Sequence, residues 1–106
     1  MYIKMRNIIG IHYYGNIAYL CLTNSSYIEL DETETCVIEQ LIYHNEMNSL
    51  IEILHIKYKV KNRKIIKKVI VDLLLSYEKY FFIEEEYCQN IDIRVSGEKK
   101  KCFPAE

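Results

Sequence analysis

Residues 26–43 read SYIELDETETCVIEQLIY, and the join inside this stretch limits the fold more than any other feature of the chain. Tyr27–Leu30 is a short β-like run. Asp31 follows at once, and Glu34 three residues later completes a capping box that starts a helix and suits its dipole. A strand joined so tightly to a helix either closes a core or leaves its own edge as a working surface.

The flanking sequence supplies the rest of the sheet. Residues 8–14 (IIGIHYY) are β-branched and aromatic, as strands prefer, and Gly15-Asn16 is a two-residue turn. Residues 17–23 (IAYLCLT) form a second strand, Asn24-Ser25-Ser26 a second turn, and Tyr27–Leu30 the third strand of an antiparallel meander.

Three helices are expected next. Cys36, Val37, Leu41 and Ile42 stripe the first, which breaks at Asn45-Glu46-Met47-Asn48. Ser49 with Glu52 repeats the capping box, and Leu50, Ile51, Leu54 and Tyr58 face the core. Asn62 begins the longest helix, roughly residues 63–79, with Ile66, Val69, Ile70, Leu73, Leu74 and Tyr77 inward. Val71 and Leu75 widen the apolar arc on one flank and Ile65 on the other. So wide an arc is covered by its own domain or awaits a partner. Residues 80–86 (YFFIEEE) read as a strand or wing, 91–95 (IDIRV) as a further strand, and Ser96–Lys101 as a polar linker. The expected fold is α+β and winged helix-turn-helix-like, a three-stranded antiparallel sheet followed by three α-helices. It occupies residues 1–86, with 87–106 as linker.

With 106 residues the chain holds one domain, half hydrophobic and about a quarter charged, a globular composition. A deep enclosed active site does not suit so short a chain, whereas binding on an open surface does. The net charge of −1 conceals segregation. Glu29 to Ile56 carries seven acids and no base, and Lys57 to Lys68 carries seven bases and no acid. Such asymmetry either solvates two faces or steers a charged partner.

Cys21, Cys36, Cys88 and Cys102 show no CxxC spacing, and Cys21 and Cys36 read as buried thiols. No signal-peptide pattern opens the chain and no apolar run approaches a membrane span, so a reducing cytoplasm is the expected setting. His12, His44 and His55 lack metal-ligand spacing, and no GxSxG, P-loop or GxGxxG motif occurs. Glu84-Glu85-Glu86 reads as a solvated helix end or turn. No catalytic residue and no metal ligand is assigned, and the chain is expected to be non-catalytic.

The order of strands and helices resembles the PqqD-like domains, the recognition elements for precursors of ribosomally made, modified peptides. Tyr27-Ile28-Glu29-Leu30-Asp31-Glu32-Thr33 is similar to their Y-x-L-D-x-T junction. Val37-Ile38 and Leu41 match the helix that follows, and Ser49, Leu50, Glu52-Ile53 and Tyr58 match the next. Ile66–Leu75 resembles the final helix, so the likeness covers about residues 8–83. Glu34-Thr35-Cys36 stands where the family often has glycine. The tail KCFPAE resembles the approach to the barrel of radical S-adenosylmethionine peptide maturases, although their CxxxCxxC motif is absent here.

The resemblance implies that a precursor's leader peptide adds as a strand to the third strand and lies against the third helix. Ser26, Tyr27, Ile28 and Glu29 would pair with its backbone, Val71 and Leu75 would hold apolar anchors, and Lys64, Lys67 and Lys68 would meet acidic leader residues. S-adenosylmethionine and an iron–sulfur cluster would belong to a covalently linked parent enzyme and not to this fragment, and Cys102 would be a linker residue. Two rivals stand beside this reading. A winged helix-turn-helix could set KNRKIIKK against DNA phosphates, although the acidic stretch repels a polyanion. The edge strand could instead pair with a second copy of the chain.

Overall fold

The expected meander is present, packed on three capped helices, in a computed structural model that describes residues 1–88, 90 and 93–99. Along the chain the elements are β1 (Tyr2–Met5), β2 (Ile8–Gly15), β3 (Ile17–Leu22), β4 (Tyr27–Leu30), α1 (Glu32–Tyr43), α2 (Met47–Tyr58), α3 (Arg63–Ser76), β5 (Phe81–Glu84) and β6 (Arg94–Lys99). Gly15-Asn16 joins β2 to β3, with Tyr14 opposite Ile17 and Gly15 at φ +65°. A type II′ turn needs that sign at its first central residue, which glycine adopts without strain. Between β3 and β4, Ser25 N–H donates to Leu22 O (3.1 Å) and Leu22 N–H donates to Ser26 O (3.0 Å), with Ser25 left-handed. That is a three-residue hairpin loop closed by a bulge.

The sheet is larger than the expected three antiparallel strands. Its order is β4-β3-β2-β6, and β6 runs parallel to β2. Residues 94–99 supply the fourth strand, which shares Arg94 and Val95 with the strand expected at 91–95 and continues through the stretch expected as polar linker. Residues 91 and 92 of that expected strand lie outside the described residues. Arg94, Val95, Ser96 and Gly97 are all exposed, so main-chain pairing, and not burial of these side chains, holds β6. The strand expected in 80–86 forms as β5 and pairs with β1, an element the sequence reading did not assign. The tail around Cys102 and Pro104 lies outside the described residues.

The helix caps follow the sequence at two of three sites. Asp31 and Glu34 form the reciprocal capping box of α1. Asn62 caps α3, its side chain accepting from Lys64 N–H, and the helix ends at Ser76, short of residue 79. The cap of α2 is corrected. Glu46 holds that position, its carboxylate accepting from the Asn48 and Ser49 N–H groups, so the helix begins at Met47 and Ser49 lies in its first turn. A glutamate long enough to reach those orphan donors displaces the shorter Ser49 from the role.

Alternation along β3 separates the two faces of the sheet. Ala18, Leu20 and Leu22 are buried, whereas Ile17, Tyr19 and Cys21 point away from the core. Leu20 and Ile11 meet Ile38 and Leu41 of α1, Leu50 of α2 and Ile70 of α3, all within 1% of complete burial. Each such side chain contributes about 1.5–3 kcal/mol by leaving water. Cys21 and Cys36 are half-buried, not enclosed as expected, because Cys21 lies on the outer face of the sheet and Cys36 lines a groove among the helices. No helix among the described residues is long and apolar enough to cross a membrane.

Candidate functional site

β4 lies at the end of the sheet with β3 on one side only. Which of its main-chain groups face outward follows from the hairpin. Leu22 and Ser26 are a bonded pair, so Leu20–Ile28 and Ala18–Leu30, two residues apart in register, are bonded pairs as well. Cys21–Tyr27 and Tyr19–Glu29 are therefore the non-bonded pairs, and the N–H and C=O groups of Tyr27 and Glu29 point away from β3. Of the four residues expected to pair with a peptide backbone, Tyr27 and Glu29 present free groups. Ile28 spends its own on β3, and Ser26 gives its carbonyl to Leu22 and its N–H to Asn24 Oδ1 (3.0 Å).

The edge is rigidly held. Leu30 is buried and Ile28 half-buried on the core side, while Tyr27 and Glu29 are exposed on the other. The Tyr27 ring meets Tyr19 edge to face, with centroids 6.2 Å apart. One residue beyond Leu30 the capped helix begins, and its start is tied to α3 by the Tyr77 hydroxyl, which donates to Glu34 Oε2 (2.7 Å). Partial burial first, then the Glu34 bond, push the Tyr77 phenol up to about 12.

Two hollows adjoin this end of the strand. A cleft of about 180 Å³ runs between the start of α1 and α3, lined by Asp31, Thr33, Glu34, Val69, Asp72 and Ser76. An apolar groove of about 290 Å³ lies among all three helices, with Cys36, Val37, Leu54, Tyr58, Val60 and Ile65 on its walls. Burial raises the Tyr58 phenol well above its ordinary value, with Cys36 next in effect.

Neither hollow is lined by the α3 residues expected to hold a peptide. At about 100° per residue, Lys64, Lys67, Val71 and Leu75 form one flank of the helix and Val69, Asp72 and Ser76 another. Val71 and Leu75 are 37% and 64% exposed, an uncovered apolar strip beside lysines. Lys68 lies nearer the cleft and pairs with Asp72 at 2.9 Å. The cleft residues Thr33, Asp72 and Ser76 were missed from the sequence. Asp72, the single acid between Lys57 and Tyr77 and one turn from Lys68, was the available signal.

Other chemistry is accounted for by local contacts. His12 Nδ1 lies 2.9 Å from Ser96 Oγ, linking β2 to β6, and His55 Nδ1 lies 2.6 Å from Val60 O. His44 is the C-cap of α1. Arg63 forks onto Glu52, with a second contact at 3.1 Å, which occupies the one guanidinium of the basic segment. Glu84 ends β5, and Glu85 and Glu86 are exposed in the bend beyond it. Among the described residues no group of three or more His, Cys, Asp or Glu side chains could hold a metal ion. No protein family, no curated protein and no solved structure matches the chain.

Proposed function

We propose that the chain is a peptide-binding domain that takes an extended segment as an added strand on β4. The observation that carries the reading is the outward edge at Tyr27 and Glu29, whose main-chain donors and acceptors have no partner among the described residues. An added strand satisfies such groups, and side-chain contacts then select it. The buried Leu30 and the immediate capped helix hold this edge in place, which limits the ordering cost of docking. The resemblance to precursor-recognition domains extends the proposal. The bound segment is the leader of a ribosomally made precursor, delivered to a radical S-adenosylmethionine enzyme fused to or working with this domain. The chain itself does no chemistry.

The test uses the isotope-labelled chain and synthetic leader segments of short peptides encoded beside it. Shifts centred on the Tyr27 and Glu29 amides, and their loss in Tyr27→Pro, are expected. Shifts that avoid β4 overturn the proposal. Duplex DNA in a parallel titration moves the start of α3 if the rival nucleic-acid reading holds. Sedimentation over a concentration series exposes pairing of β4 with a second copy.

A further inference from the structure

The edge strand lies in a one-signed field. Between Asn7 and Ile56 the chain has no lysine or arginine and seven acids, and that interval contains β2, β3, β4 and α1. Glu29 and Glu32 are exposed, and no ion pair among the described residues engages either. Beyond Leu30, the cleft adds the carboxylates of Asp31, Glu34 and Asp72. The lysine of the one ion pair there, Lys68, is 76% exposed, and a solvated pair of that kind exchanges partners at little cost.

A residue placed directly opposite Glu29 on an added strand projects its side chain on the same face as Glu29. Opposite charges at such positions attract and like charges repel. The exposed Tyr27 ring, set against Tyr19, offers a π face to a cation two residues along. Charge, register and aromatic placement agree.

We infer, on the strand-addition reading above, that the peptide taken by β4 is basic. It sets a lysine or arginine opposite Glu29. This reverses the acidic leader expected from Lys64, Lys67 and Lys68. Lys64 and Lys67 lie on the other flank of α3, away from the cleft, and Lys68 is the one lysine of the three that stands beside a carboxylate lining it, that of Asp72.

A displayed library of random dodecapeptides, selected on the full chain at about 0.05 M salt, tests this, since charge contacts are least screened there. Lysine- and arginine-rich sequences with few acids should be enriched. Their synthetic forms should lose about tenfold in affinity to Glu29→Lys, and a similar factor at about 0.5 M salt. Enrichment of acidic peptides, or indifference to both Glu29→Lys and Glu32→Lys, overturns the inference. Amide shifts and Tyr27→Pro separate it from its parent reading. Acidic peptides that shift Tyr27 and Glu29 sink the charge assignment and leave strand addition standing. Basic peptides that bind equally well to folded Tyr27→Pro without moving those amides sink both, as does a selection with no enrichment.

Discussion

The two ends of the same sheet are built on opposite terms. At one end β4 is anchored by side chains: Leu30 buried, Ile28 half-buried, and α1 begun one residue later. At the other end β6 brings the exposed Arg94, Val95, Ser96 and Gly97 and lies along β2 through main-chain bonds. Two glycines allow that approach. A Cβ on Gly10 would stand 2.0 Å from Arg94 O, and one on Gly97 would stand 2.0 Å from Tyr13 O. β4 is thus a fixed platform and β6 an added strand. An edge that receives a partner must be the rigid one, because a mobile acceptor would have to be ordered at every encounter.

The contrast is abolished most completely from the strand shared by both ends. Leu20 is 0% exposed in β3, between β2 and β4. Leu20→Ala should cost about 2–5 kcal/mol in denaturant unfolding and loosen both edges together. If amide exchange rose at one edge only, the sheet would be two units and the comparison would fail.

Proline tests the alternation along β4. Ile28 gives its N–H to the ladder with β3, so Ile28→Pro should cost about 3 kcal/mol or more. Tyr27 directs its N–H outward, and Tyr27→Pro should cost under about 1 kcal/mol while removing a donor from the outward edge. Equal losses in the two variants would mean that the register assigned to the hairpin is wrong.

Gly97→Ala acts on the opposite end. The residue sits at φ +83° with Tyr13 O in the way of a side chain. The variant should release β6 at a cost of about 1 kcal/mol, because few apolar groups leave the core with it. Hydrogen exchange should rise through residues 94–99 and stay unchanged at Ile28. A global loss of protection would make β6 as integral as β4.

What the sequence revealed follows from the same distinction. The meander, the Asp31–Glu34 box and the Asn62 cap were legible because turn residues and side-chain oxygens act locally. The edge character of β4 was legible from the short run Tyr27–Leu30 ending at a helix start. β6 was legible only at its start, from the strand expected at 91–95, since its polar remainder is attached by main-chain bonds and has no apolar period to read. β1 is only four residues long and takes its place from β5 and from Asn45, whose O accepts the Ile3 N–H (2.8 Å), partners far away in sequence. The flank assignments on α3 depended on the rotation of that helix against α1. Its apolar arc was too wide to set this, and the Tyr77–Glu34 bond and the cleft reveal it.

That bond also gives the smallest test, and it has a counterpart at the other end of the sheet. Tyr77 donates to Glu34 beside β4, and Tyr13 donates to Glu39 from β2. Tyr13 is 5% exposed, and burial, followed by the bond to Glu39, drives its phenol far above the ordinary range. Tyr77 is less enclosed and is raised to about 12 from the usual 10.0. A phenol whose folded value is raised stabilises the fold fully below its unfolded value. That stabilisation is lost as pH climbs through the folded value. Tyr77 should therefore withdraw its contribution between about pH 10 and pH 12, loosening the join of α1 to α3 beside β4, while Tyr13 stays protonated. Tyr77→Phe should cost about 1 kcal/mol at neutral pH and flatten the decline in stability over that alkaline window. Tyr13→Phe should cost more at neutral pH and leave the decline in place. An unchanged alkaline decline in Tyr77→Phe would show that the start of α1 is held by its capping box alone, and the rigidity claimed for the β4 edge would then rest on Leu30 and that cap.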